Sequence, residues 1–314
     1  MTSKANEIRI QRIYDAPVQA VWDAWTDPAQ VAQWWGPRGF TLTSHSKDLR
    51  VGGHWSYTMH GPDGTDYPNR TTYFEVEPLA RLVYDHGANE NQPPLFRVTV
   101  LFAEIDGKTH MDMTMALESA EAAVQTRHFI KAAGGNGTWD RLDEFLTKRL
   151  TDKERFVINR SFHAPLELVF DMWAKPEHVA NWLAPAGHQM EYLRADISEG
   201  GSSFYKMTGP AVTLYGVIRY IEIRRPSRLV YAQQFMDENE HISRHPMIPV
   251  WPETMMTRVD FVDEGDGNTR VTVTWEPAPN TTPDEMNVFT SFRANMHHGW
   301  TGSLDKLEDL LSAR

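Results

Sequence analysis

The chain of 314 residues contains no cysteine. This excludes disulfides, thiolate nucleophiles and cysteine-ligated zinc, and it fits a reducing compartment. No apolar run is long enough to span a bilayer. The opening MTSKANEIRI has no apolar stretch of the kind a secretory signal needs, so a cytoplasmic location is expected. No Lys/Arg-rich run occurs and the net charge is -11, which argues against nucleic acid and anionic membranes as partners. Gly-x-Ser-x-Gly elbows, phosphate loops, dinucleotide fingerprints and zinc motifs are absent. The histidines are dispersed except His297-His298, and neighbours on a helix do not easily ligate one metal. Neither a cofactor nor a metal is therefore expected.

What is present is aromatic and repetitive. Hydrophobic residues make up 41% and charged residues 23%, a globular balance, with 11 Trp and 14 Met. Such a length exceeds one ordinary core. The reason is visible at residues 13–39, IYDAPVQAVWDAWTDPAQVAQWWGPRG, which align without a gap on 161–187, SFHAPLELVFDMWAKPEHVANWLAPAG. Ala16-Pro17, Trp25, Pro28, Trp34 and Pro37 recur as Ala164-Pro165, Trp173, Pro176, Trp182 and Pro185. The same offset carries Asp48, Gly52-Gly53, Tyr57 and Met59 onto Asp196, Gly200-Gly201, Tyr205 and Met207. RLVY occurs at 81–84 and at 228–231, and the halves end alike in DRLDEFL and DKLEDLL. Two copies of one fold are expected, at 1–150 and 155–314, joined near TDKER.

Within a copy the signals come in a fixed order. A strand leads to Ala-Pro, where proline opens a helix. Val18, Val21, Trp22 and Trp25 then form one apolar helical face, as do Leu166, Val169, Phe170 and Trp173. A second short helix ends at Gly-Pro or Ala-Pro. A six-strand meander follows, closed by an alternating strand with Met111, Met113 and Met115 on one face, or Val271, Val273 and Trp275. A long last helix is the natural cover, with the stripes Trp139, Leu142, Leu146, Leu150 and Trp300, Leu304, Leu307, Leu311. The fold class is α+β: in each copy a curved antiparallel sheet and two short helices around a long C-terminal helix.

The run APxxxVWxAWTDPxxxxxWWGP, with VGG, ExxPxxRLVY and a terminal L-D-x-L helix, resembles the activator of Hsp90 ATPase homology family. That family belongs to the START-like (SRPBCC, birch-pollen-allergen-like) helix-grip superfamily. The resemblance covers nearly all of both halves and implies two tandem helix-grip domains. In that fold the short helices close one end of the grip, which sends Trp34 and Trp182 toward sheet and helix as plugs. Trp35, about 100° further round a helix, is expected to point elsewhere: to the surface, the other domain or a cavity mouth. The second copy departs with Leu183 and Ala184 where the first has Trp35 and Gly36, so the two copies are not expected to share a ligand.

A grip of this kind can leave a cavity, and strand alternation sends half of any strand's side chains into it. The candidates in the first copy are Trp25, Trp34, Trp35, Tyr57, Met59, Tyr73, His86, Met113 and Trp139. In the second copy they are Trp173, Trp182, Tyr205, Met207, Tyr231, Trp251, Trp275, His297 and Trp300. Further polar strand residues, His60, Arg97, Asp112, Tyr220, Gln233 and Arg258, could line the cavity too, but alternation sends about half of any such list to solvent, and most are expected at the surface. The glycines GGNG (134–137) and Gly299 imply either a helix break or room beneath the helix. Residues 236–253 form an insertion in the second copy with His241, His245 and Trp251, either a lid or a domain contact. The primary expectation is binding of an apolar or aromatic small molecule in the grip cavity of each copy, for transport, sequestration or sensing. No acid/base pair is legible, which favours binding over catalysis. An aromatase/cyclase-type enzyme and, from the family resemblance alone, a chaperone ATPase activator are the alternatives. The two domains are expected to pack on each other.

Overall fold

The computed structural model describes residues 4–313 apart from 88, 90 and 133–136. The chain divides into two compact units, Met1–Asp152 and Lys153–Arg314.

The first unit runs β1 (Glu7–Tyr14), α1 (Val18–Thr26), α2 (Pro28–Trp34), β2 (Thr41–Lys47), β3 (His54–His60), β4 (Asp66–Glu77), β5 (Arg81–Gly87), β6 (Phe96–Ile105), β7 (Lys108–Ala116), α3 (Ala120–Ala132) and α4 (Gly137–Thr151). Its strands form one antiparallel sheet in the order β1-β7-β6-β5-β4-β3-β2. Alternation puts Met111, Met113 and Met115 on the covered face, where Met113 sits opposite Ile10 on one side and Val100 on the other. Trp139, Leu142 and Leu146 of α4 close over them, while Leu150, in the last turn, is 45% exposed.

The second unit repeats this as β8 (Phe156–Phe162), α5 (Leu166–Ala174), α6 (Pro176–Trp182), β9 (Gln189–Arg194), β10 (Ser202–Thr208), β11 (Thr213–Arg224), β12 (Arg228–Met236), β13 (Thr254–Gly265), β14 (Asn268–Pro277), α7 (Pro283–Ser291) and α8 (Arg293–Ser312). The sheet order is β8-β14-β13-β12-β11-β10-β9, the same topology. Val273 lies between Ile158 and Val259, and Leu304, Leu307 and Leu311 complete the core.

Two repeated devices explain the shared motifs. A threonine hydroxyl, Thr109 or Thr269, donates to the carbonyl of Ala16 or Ala164 at 2.7 and 2.8 Å and pins the chain at each Ala-Pro. The second glycine of each pair sits against an aspartate: a Cβ at Gly53 would lie 2.2 Å from Asp48 O, and one at Gly201 2.6 Å from the Asp196 carboxyl carbon. Only glycine fits there.

In the second unit the last helix is not continuous. The interruption falls at Phe292 (φ -88°, ψ 1°), and α8 then runs unbroken through Gly299. Gly299 therefore marks no kink. Of GGNG, residues 134–136 lie outside the described residues, and Gly137 opens α4.

Candidate functional site

Both copies build the same plug. Trp34 and Trp182 are fully buried, and their indole N–H groups donate to the carbonyls of Ala24 and Met172 at 3.0 and 2.8 Å. Those carbonyls belong to the final turns of α1 and α5, which have no partner inside their own helix. The tryptophan ring fills the corner and its nitrogen caps the preceding helix, so this position is structural.

Beside the plug the copies differ. Trp35 does not point away from Trp34, because α2 ends between them: Trp35 is extended (φ -65°, ψ 136°) and Gly36 follows at φ +98°, a conformation open to glycine. The ring turns inward, with centroids 5.3 to 6.5 Å from Trp25, Trp34, Trp55, Tyr57 and Trp139, and its N–H donates to the Tyr57 hydroxyl at 3.2 Å. Lys47 lies over Trp55 at 3.9 Å and donates to Trp25 O; burial lowers its pKa to about 7. Around this cluster the described residues leave a void of about 10 Å³, room for one water at most.

In the second copy Ala184 cannot take the glycine conformation, and Leu183 stays helical (φ -65°, ψ -33°). Ser203 stands where the first copy has Trp55. With both tryptophans replaced, a cavity of about 350 Å³ opens between the sheet and α8. Four elements supply its aromatic wall: Tyr205 on β10, Tyr231 and Phe235 on β12, Trp275 on β14 and Trp300 on α8. Its roof comes from the 236–253 insertion, which contributes His245, Ile248 and Trp251. Trp251 packs on Phe289 and Phe292 at 6.0 and 6.3 Å. Arg244 anchors the insertion to α7: its guanidinium binds Glu285 and the carbonyl of Trp251 and lies 3.6 Å from Glu253. The insertion thus lies over the cavity as a lid.

Helical period explains the floor. Met296, Gly299, Trp300 and Ser303 fall at i, i+3, i+4 and i+7 on the cavity side of α8. A Cβ on Gly299 would meet nothing within 4 Å, so this glycine faces open space. Among the described residues the polar groups are Tyr205, Tyr231, Gln233, His245, Asn295 and Ser303, with the buried indole N–H groups of Trp275 and Trp300, which have no hydrogen-bond partner there; no carboxylate, lysine or arginine among them lines the wall. Burial pushes the Tyr205 hydroxyl up to about 12 and Tyr231 higher still, so both are neutral donors. Burial also lowers His245.

Of the sequence candidates, Tyr205, Met207, Tyr231, Trp251, Trp275 and Trp300 meet around this cavity. Trp173 stacks on Trp300 at 6.0 Å, behind the wall, and Trp182 is the plug. His297 is not in the wall, because it sits 100° round α8 from Met296. In the first copy Trp25, Trp35 and Tyr73 border the small void, while Trp34 is the plug and Met59 and Met113 pack into the core. Tyr57 stacks on Trp55 at 3.9 Å and Trp139 on Trp25 at 5.5 Å, so these rings serve packing. His86 stacks on Phe96 at 4.9 Å, and burial lowers its pKa to about 4.

Strand alternation sorts the other polar candidates. Tyr220 turns inward and Gln233 reaches the cavity wall, whereas Arg97, Asp112 and Arg258 pair with Asp85, Arg9 and Asp260 on the outer face, and His60 bonds Thr43 and Asp66. Leu183, Leu214, Ile218, Phe235, Phe292 and Met296 were not anticipated as wall. Two of them had a signal: Phe235 continues the period-two face of Tyr231 and Gln233, and Met296 lies one turn before Trp300. Among the described residues no group of acidic and histidine side chains is arranged to hold a metal, and no helix is long and apolar enough to cross a membrane.

The sequence profile of Activator of Hsp90 ATPase homolog 1-like proteins matches residues 15–147 and again 163–312. No curated protein matches the chain. Similar solved structures include protein Ms6760 from Mycobacterium smegmatis, 21% identical over 52% of this chain and 93% of that one, TM-score 0.44. A protein from Arthrobacter aurescens is 29% identical over 46% of this chain and 87% of its own, TM-score 0.42. The di-domain ARO/CYC BexL from the BE-7585A biosynthetic pathway is 14% identical over 98% of this chain and 99% of its own, TM-score 0.39. With both halves matched, the chain belongs to the family of Activator of Hsp90 ATPase homolog 1-like proteins, as a tandem pair of helix-grip domains.

Proposed function

We propose that this protein binds an apolar or aromatic small molecule in the cavity of its second domain. The observation that carries this reading is a void of about 350 Å³ walled by tryptophan, tyrosine and phenylalanine, with a few uncharged polar groups. A concave apolar site with sparse polar anchors is what small-molecule recognition requires. The Trp35 and Trp55 rings fill the corresponding region of the first copy, so the reading is confined to the second.

A second reading, an aromatase- or cyclase-like enzyme, draws on the convergence of Tyr205, Tyr231 and His245 with displaced pKa values. Against it, His245 Nδ1 already accepts from two backbone N–H groups and has no lone pair left to take a proton. Binding is therefore favoured over catalysis.

Native mass spectrometry of gently purified protein tests both readings. A small-molecule adduct lost on denaturation is expected, and it should be absent from Leu183→Trp, whose larger side chain enters the cavity. An adduct that Leu183→Trp retains places the ligand elsewhere. Conversion of an added polyketide-like chain to a product of different mass would support the enzyme instead.

A further inference from the structure

The hydrogen-bonding state of the lid histidine narrows the ligand's chemistry. His245 Nδ1 lies 3.1 Å from the backbone N–H of Met247 and 3.1 Å from that of Ile248. Two donors on one ring nitrogen require a lone pair there, so the imidazole proton is on Nε2. Burial disfavours adding a second proton. The ring is held edge-on to Phe235, with centroids 4.8 Å apart at 86°. Its orientation is thus set by the turn on one side and an aromatic ring on the other. Nε2–H has no acceptor among the described residues.

The rest of the wall decides what can meet that donor. Ser303 is already engaged, donating to Leu183 O at 2.8 Å. The Tyr205 and Tyr231 hydroxyls remain protonated and neutral. Among the described residues no carboxylate, lysine or arginine lines the wall. An anionic or cationic ligand would be desolvated with no counter-charge. A pure hydrocarbon would take water from Nε2–H and supply no acceptor in return. A neutral aromatic molecule with a carbonyl oxygen satisfies both conditions.

We propose that the cavity of the second domain selects uncharged aromatic molecules bearing a carbonyl or similar acceptor oxygen, and that His245, a fixed Nε2–H donor on the lid, hydrogen-bonds that oxygen. This rests on the ligand-binding reading above.

The test is calorimetric titration of the full chain with three probes of one ring system: 2-acetylnaphthalene, 2-ethylnaphthalene and 2-naphthoate. The ketone should bind about tenfold tighter than the hydrocarbon, the ratio a single added hydrogen bond supplies. The carboxylate should bind weakest. His245→Phe should bring the ketone down to the hydrocarbon, and His245→Gln, which keeps an N–H near the Nε2 position, should retain part of the preference. Nitrogen-15 spectra of labelled histidine should show His245 protonated at Nε2 alone. Tightest binding of naphthoate, or an unchanged ketone-to-hydrocarbon ratio in His245→Phe, overturns the selectivity proposal while leaving the binding reading intact. A His245 protonated at Nδ1 overturns it as well. Absence of binding by all three probes overturns the binding reading, and this inference with it.

Discussion

The tryptophans of this protein do different work at equivalent places, and the difference comes down to single backbone angles. Trp34 and Trp182 each fill a corner and cap a helix. Trp182→Phe keeps most of the volume but leaves the Met172 carbonyl buried without a donor. A loss of about 1–3 kcal/mol is expected, read as a lower urea midpoint, with a similar loss for Trp34→Phe. Equal stability of wild type and both variants would show that the caps contribute nothing. That Trp34 plugs the grip followed from the family resemblance, which sends the second short helix against the end of the grip. The inward turn of Trp35 was not legible, because it depends on where α2 ends and on the φ of +98° at Gly36, which helical period does not encode. His86 makes a pH prediction at the same scale. The unfolded chain takes up a proton below about pH 6.5, while folded His86 resists until about 4. In that window the unfolded state binds more protons, so stability present above pH 6.5 is lost as pH falls toward 4. His86→Gln, the residue that the second copy carries as Gln233, should flatten this part of the curve of urea midpoint against pH. An identical slope in wild type and variant would rule the residue out.

At the scale of elements, α8 and the insertion make the site. Gly299 lies mid-helix yet faces open space, so its cost to the helix is not offset by any packing need. Gly299→Ala should raise stability by about 1 kcal/mol, near 2–4 °C in Tm, and still bind ligand. Gly299→Leu should fill the floor and weaken binding at least as far as it raises Tm. If instead Gly299→Ala destabilises, the helix is strained there and the open-space account fails. The glycine was visible in the sequence as an anomaly; what it opens onto was not, since that depends on Leu183 and the lid lying opposite. The lid itself was legible as an extra segment, but its place over the cavity depends on Arg244 reaching Glu285 across 41 positions of chain.

At the scale of the molecule, two copies of one fold have diverged in their interiors while keeping topology and register. Hydrogen exchange with and without bound ligand should therefore show protection confined to residues of the second unit, chiefly the 236–253 lid and α8. A ligand at a hundred times its Kd should stabilise that unit by about 2.7 kcal/mol. Equal protection in the first unit would mean that the tandem copies bind alike. The chain's own pattern determined the repeat, the strand and helix order, the buried methionine face and the family, because periodicity and proline-glycine punctuation are local. The tertiary structure alone decided that a cavity opens in the second unit and which tyrosines, tryptophans and histidine surround it. A void is the difference between a backbone envelope and the side chains that fill it. Two replaced tryptophans, one glycine and one folded-back loop set that difference, and they lie far apart in sequence.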